Sequence, residues 1–223
     1  MKNILLFILT IATLKVAGQN HFIGLKGGGN STNITSSNFL SQTDSRTGLT
    51  VGLTYEFLIK KHFSIGADFI YNQRGFTNDI VLTDNSGNPF GEKHTTTFNY
   101  DYVSLPIKTG FNIGTKLYGF TNIGVMPSLL VDAKITKPTF DIDGKLIGNE
   151  IFEVTNRVSK FDFSGLVEIG GGYKFKERYW LFTSLSYQQS FTTITNPDYF
   201  ANSKIRHHGM ALTIGLNCAL KKE

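Results

Sequence analysis

Apolar positions along this chain recur with a period of two. Leu49, Val51, Leu53, Tyr55 and Phe57 alternate with Gly48, Thr50, Gly52, Thr54 and Glu56. Met210, Leu212, Ile214, Leu216, Cys218 and Leu220 alternate with Gly209, Ala211, Thr213, Gly215, Asn217 and Ala219. That period sends successive side chains to opposite faces of a β-strand. One face is aliphatic and aromatic; the other is Gly, Ser, Thr and an occasional charge. An apolar lipid face opposite a polar lumen face is the pattern of a transmembrane β-barrel.

The pattern predicts eight strand-like segments, near 21–30, 46–58, 62–74, 97–112, 115–130, 158–175, 178–193 and 207–220. Residues 63–71 place Phe63, Ile65, Ala67, Phe69 and Tyr71 opposite Ser64, Gly66, Asp68, Ile70 and Asn72. Residues 161–174 place Phe161, Phe163, Gly165, Val167, Ile169 and Tyr173 opposite Asp162, Ser164, Leu166, Glu168, Gly170 and Lys174. Val103, Leu105, Ile107 and Phe111 oppose Tyr102, Ser104, Pro106, Lys108 and Gly110. The register of 115–130 is not fixed by its pattern.

The connections alternate strictly in length. Those at 59–61, 113–115 and 176–178 are short, and those at 31–45, 75–96, 131–157 and 194–206 are long. An outer-membrane barrel has short periplasmic turns and longer extracellular loops. The expected fold is therefore an all-β, eight-stranded, antiparallel up-and-down barrel with both termini periplasmic. The long connections hold turn chemistry: Asp84-Asn85-Ser86-Gly87-Asn88-Pro89, a hairpin turn at Asp141-Ile142-Asp143-Gly144-Lys145, and Asn196-Pro197-Asp198. Aromatics gather at both ends. Phe57, Phe63, Phe111, Tyr118, Tyr173, Phe175, Tyr179 and Trp180 flank the short turns. Phe69, Tyr71, Tyr100, Phe161, Phe163, Tyr187 and Phe191 lie toward the long loops. Two interfacial belts are expected from this placement.

A soluble lipocalin-like carrier would alternate in the opposite sense, with its apolar face inward and a charged face in water. A face of Gly, Ser and Thr suits a lumen that eight strands leave just wide enough for side chains.

Residues 1–18 differ from the rest. Lys2 and Asn3 precede an apolar run from Ile4 to Leu14, and Val16-Ala17-Gly18 precedes Gln19. This reads as a cleaved signal peptide, leaving 19–223 as the barrel domain. Loss of Lys2 and Lys15 would take the net charge from +5 to +3. So mild an excess gives no reason to expect nucleic-acid binding. The single cysteine, Cys218, excludes an intrachain disulfide and falls on the apolar face.

The expected lumen charges are Glu56, Asp68, Lys108, Glu168 and Lys174, with Arg74 toward the long-loop end. Unpaired charges in a narrow lumen are costly, so an internal ion-pair network is expected. Glu56, Lys108 and Lys174 are candidates for one cluster near the short turns. His207 and His208, being adjacent, point to opposite faces and make a poor metal pair; His21, His62 and His94 have no ligand spacing. His207 or His208 with Ser203 and Asp198 is the one composition for a nucleophilic set, but no nucleophile motif surrounds Ser203. Gly27-Gly28-Gly29 and Gly170-Gly171-Gly172 lack the Lys-Ser/Thr of a phosphate loop and fit strand bending and lumen packing. No catalytic residue, metal or cofactor is expected.

The chain resembles the small outer-membrane β-barrel proteins of Bacteroidetes, the porin family or PorT-like proteins. The resemblance rests on the leader ending before Gln19, on Phe22-Ile23-Gly24-Leu25-Lys26-Gly27-Gly28, on Tyr102-Val103-Ser104-Leu105-Pro106-Ile107-Lys108, and on Phe163 to Gly172. The end Leu220-Lys221-Lys222-Glu223 departs from the terminal aromatic of many such proteins. The resemblance implies an outer-membrane location, with outer-membrane lipid and proteins of a secretion or envelope complex as partners, and no small-molecule ligand it can name. A non-enzymatic structural or interaction role, with 75–96 and 131–157 as outward binding surfaces, is the first expectation. Membership of a secretion complex is the second, and a narrow channel the third.

Overall fold

The computed structural model describes residues 21–36, 43–59, 62–83, 86, 88–142, 145–175, 178–196 and 204–220. The proposed leader, Asp198 and Ser203 lie outside them. Ten strands form: β1 (His21–Ser36), β2 (Asp44–Leu58), β3 (Phe63–Thr83), β4 (Pro89–Ser104), β5 (Ile107–Gly114), β6 (Leu117–Phe140), β7 (Leu146–Glu153), β8 (Phe161–Phe175), β9 (Tyr179–Ser190) and β10 (Ile205–Ala219). Every pairing is antiparallel, and the sheet closes on itself where β1 bonds both β2 and β10. Closure leaves the wall without an open edge.

Ten strands stand where the sequence pattern gives eight segments, for two reasons. The expected strand 97–112 is interrupted at Leu105–Pro106, because proline has no N–H to give the ladder. β4 and β5 nonetheless run consecutively between β3 and β6. The wall is held across the break by Asp68 N–H to Pro106 O and Leu105 N–H to Pro127 O, both 2.9 Å. The second difference is β7, which pairs β6 alone, beyond the ring. Residues 75–96 and 131–157 are thus largely strand: β3, β4, β6 and β7 continue upward as one sheet. The hairpin turn expected at 141–145 is held by Asp141 N–H to Lys145 O at 2.9 Å and Lys145 N–H to Asp141 Oδ1 at 2.7 Å.

The register left open at 115–130 has a physical source. Opposite β4, the pairing steps from Tyr102↔Leu130 to Asp101↔Asp132, so Val131 is an extra residue. A one-residue bulge moves the following side chains to the other face. Met126 and Ser128 point inward below it, and Ala133 points inward above it. On the short-turn side, Gly114 closes the β5–β6 turn at φ +97°, in the left-handed region that glycine tolerates.

Through the middle of the wall the charged and most polar side chains face inward and the large aliphatic ones outward. Lys26, Asn30, Thr54, Asp68, Asn72, Arg74, Ser104, Asp162, Glu168, Ser184 and Thr213 are buried inside. Leu25, Leu53, Phe69, Ile107, Ile123, Ile169, Leu185 and Leu212 are exposed on the outer wall. An apolar exterior around a polar interior removes the lipocalin-like alternative, which needs the reverse. Three aromatics placed in the belts point inward instead: Tyr100, Tyr118 and Trp180 are buried. Glycines of the inner face fit the packing role read for them. A Cβ on Gly28 would strike the Leu212 carbonyl, and one on Gly172 the Tyr118 ring.

Candidate functional site

The barrel interior is filled in layers. At the short-turn rim, Phe22, Tyr118, Trp180 and Phe182 form an aromatic floor with Phe120 and Leu58 against it. Phe22 and Trp180 have ring centroids 4.0 Å apart. At the opposite rim, Ile34, Phe76, Tyr100, Tyr102, Ala133 and Ile205 meet Val154, Val158 and Ile194 from the segments between strands. Those segments are drawn in by Val154 N–H to Ala133 O at 2.9 Å and by the Val158–Thr195 bridge. This cluster caps the interior.

Between floor and cap lie two ionic layers. In the lower one, Lys26 Nζ is 2.5 Å from Asp68 Oδ2 and 4.0 Å from Glu168 Oε1. Lys108 Nζ is 2.9 Å from the same Asp68 oxygen and 3.1 Å from Glu168 Oε2. Two cations face two carboxylates, so the layer is neutral. Asn122 Nδ2 and the Ser184 hydroxyl donate to Glu168 at 2.7 and 2.9 Å. The upper layer centres on Arg74, fully buried, whose Nη1 lies 2.7 Å from Asp162 Oδ2. Ser164, Ser190 and Thr192 hydroxyls donate to Asp162 at 2.8, 3.0 and 2.8 Å. Arg74 also donates to the Ser128 hydroxyl at 3.0 Å and lies 4.7 Å from the Tyr102 ring centre.

Of the six charged residues named from the sequence, Asp68, Lys108 and Glu168 meet in the lower layer and Arg74 sits in the upper. Glu56 and Lys174 do not join Lys108. Glu56 accepts from Asn112 Nδ2 at 3.4 Å, and Lys174 Nζ lies 3.9 Å from the Trp180 ring centre. Two partners were missed. Asp162 already stood on the polar face of its segment. Lys26 is fixed inward by the outward Ile23 and Leu25, a signal diluted by the surrounding glycines.

The two layers are networks of ion pairs and hydrogen bonds between fixed groups. Each carboxylate of the two layers accepts from fixed donors, and hydroxyls that donate to a carboxylate beside a guanidinium are not activated as nucleophiles. His207 points inward and His208 lies on the opposite face, 3.3 Å from the Thr35 hydroxyl. Among the described residues no three His, Cys, Asp or Glu side chains are grouped to hold a metal. Two cavities flank the lower layer. One of about 30 Å³ lies toward the floor by Glu56, Asn112 and Asn122; another of about 30 Å³ lies above, by Asn72, Pro106 and Met126. Each has room for a water molecule or two and no more.

Comparison with known families matches residues 17–196 to the outer membrane protein beta-barrel domain. The chain belongs to that family. Membership places this outer-membrane barrel in the company its exposed apolar wall requires. Curated proteins give no match. Among solved structures, it is similar to Neisserial surface protein A at 10% identity, covering 89% of this chain and 96% of that one, with a TM-score of 0.48. Against Ail, the attachment invasion locus protein of Yersinia pestis, the values are 10%, 89%, 99% and 0.43. Against the outer membrane protein OprG from Pseudomonas aeruginosa they are 11%, 89%, 95% and 0.47. Likenesses this distant carry nothing about what the barrel does.

Proposed function

We propose that the protein is a closed, non-enzymatic barrel that anchors an outward-facing interaction surface in the outer membrane. The observation that carries this reading is the contrast between its two parts. The interior is occupied from floor to cap, while the extension of β3, β4, β6 and β7 stands clear of it. All eight residues of β7 are exposed, among them Ile147 and Ile151. In this reading eight staves cross the bilayer, β4 and β5 together making one. Strands of 12 to 15 residues such as β8 and β9 suffice for a tilted crossing. The short turns and chain ends are periplasmic, and β7 is outside the cell. A role within a secretion or envelope complex, as the PorT-like resemblance implies, makes the same surface its docking face; co-purification of envelope proteins tests it.

The first experiment combines location with orientation. The unboiled protein from outer-membrane fractions migrates ahead of the boiled protein on a denaturing gel. In a Cys218→Ser background, a membrane-impermeant maleimide labels Ile151→Cys on intact cells and spares Lys116→Cys. Labelling of Lys116→Cys instead inverts the topology. Channel activity is the competing reading, and the filled lumen opposes it: planar bilayers containing the folded barrel show no conductance steps. Regular steps from the wild type would make the channel the leading reading.

The outer wall gives a third expected result. Ile169 lies exposed midway along β8. Ile169→Arg destabilises the barrel folded in vesicles by about 2–4 kcal/mol, the cost of an arginine near the bilayer midplane. A urea titration that leaves the midpoint unchanged would put this wall in water.

A further inference from the structure

Along the sequence, the charges of this chain are unevenly divided between the short connections and the long ones. Lys60 and Lys61 connect β2 to β3, Lys116 connects β5 to β6, Lys176 and Arg178 connect β8 to β9, and Lys221 and Lys222 follow β10. Against these seven cations the same short stretches hold two acids, Glu177 and Glu223. The long-loop side, residues 37–48, 77–101, 131–160 and 191–208, holds nine Lys and Arg against eleven Asp and Glu. Lys174 is not counted, since its ammonium is engaged by the floor rings.

Lys60, Lys61, Lys176, Lys221 and Lys222 lie outside the described residues; Lys116 and Arg178, which are described, stand at a particular depth. Immediately above them the outer wall carries Phe63, Phe111, Tyr173, Phe175 and Tyr179, all exposed. A girdle of aromatic rings at the end of an apolar wall marks the level of lipid headgroups, and the Tyr173 and Tyr179 hydroxyls suit that boundary. Lys116 and Arg178 are exposed at that level, and Lys116 Nζ lies 5.4 Å from the Tyr173 ring centre. No ion pair among the described residues engages either. The short-turn end of the wall thus carries a belt of rings at the level of Lys116 and Arg178, and the surplus positive charge lies in the sequence of the short connections and not of the long ones.

We infer that the short-turn rim binds the phosphate headgroups of acidic phospholipids in the leaflet that surrounds it. The inference rests on the membrane reading proposed above. It adds a partner and a sidedness: the leaflet at the short turns is recognised by charge, and the leaflet at the long loops is not. Lipid phosphodiesters supply the anions, and the rings fix the depth at which the cations meet them. The attraction is between exposed charges, so it weakens with salt.

The test uses the whole barrel folded into vesicles of equal phosphatidylglycerol and phosphatidylcholine. The barrel is extracted in mild detergent, and the retained lipids are counted by native mass spectrometry. At low salt phosphatidylglycerol is retained in preference, and high salt removes the preference. Lys116→Gln and Arg178→Gln each lower it by up to about five-fold. Lys134→Gln with Lys137→Gln, at the opposite rim, leaves it unchanged. Equal retention of both lipids, indifference to salt, or an equal loss in the opposite-rim variant would overturn the inference. Capture of the rim by an acidic protein without any lipid preference would also overturn it. Failure of the unboiled protein to migrate ahead of the boiled one after vesicle folding would instead overturn the membrane reading itself.

Discussion

Asp162→Leu destabilises the barrel by about 3–5 kcal/mol, the largest loss expected of any single substitution in the interior. The substitution leaves Arg74 charged in a site with no solvent exposure. A guanidinium is not relieved by deprotonation. Its other neighbours, the Ser104 and Ser128 hydroxyls and the Tyr102 ring, carry no compensating charge. The single tryptophan, Trp180, sits in the aromatic floor and reports the unfolding by its fluorescence during urea titration. The double substitution Arg74→Met, Asp162→Leu recovers most of the loss, because removal of both charges abolishes the desolvation that one alone suffers. A loss below about 1 kcal/mol in the single variant, the range of an exposed pair, would mean that water reaches the site and that the apolar cap does not seal it.

The cap explains why this layer was harder to read than the wall. The alternation of Leu49 to Phe57 and of Phe63 to Tyr71 fixes the faces of β2 and β3, because a period of two leaves a single choice once one face is apolar. The same rule is blind to which residues fill the inner face. Tyr118 and Trp180 alternate correctly with their outward neighbours Leu117 and Tyr179, yet both neighbours and fillers are apolar, so the periodicity loses contrast where the floor begins. Tyr100 is hidden in the same way within the cap. Asp162 was legible as an inward residue; its pairing with Arg74 was not, since the two are 88 positions apart and meet only through the barrel's closure.

Breaks in the strands follow a similar logic. Pro106 is visible in the sequence, and its lack of an N–H already argues for an interruption. What the sequence leaves open is that β5 resumes in the same place, which depends on Asp68 and Pro127 supplying bonds from neighbouring strands. The bulge at Val131 has no local mark, because Leu129, Leu130 and Val131 are all apolar. The length of β6 and the pairing of β7 then follow from residues such as Lys134, Thr136 and Pro138, whose polar-rich pattern reads as loop. Lys134 and Thr136 remain strand because β4 and β7 bond them on either side, and Pro138 is held by β7 alone.

Lys108→Met is the second large effect, about 3 kcal/mol, and its pattern differs from that at Arg74. The lower layer has two cations, so its loss leaves Lys26 close to Asp68 but 4.0 Å from Glu168. The stranded charge is therefore chiefly that of Glu168, whose remaining donors are Asn122 and Ser184. Glu168→Gln added to Lys108→Met restores neutrality, keeps an oxygen for one of those donors, and recovers more than half of the loss. Glu168→Gln alone leaves a surplus cation and is destabilising. The two single effects thus exceed the double, and the coupling measures the pair rather than either residue. Conductance separates structure from gating in the same variants. The floor and the cap are untouched by Lys108→Met, so the destabilised barrel stays closed in planar bilayers. Steps appearing in Lys108→Met and vanishing in the double variant would make this layer a gate. A Lys108→Met barrel with wild-type stability and no conductance would remove both roles from it.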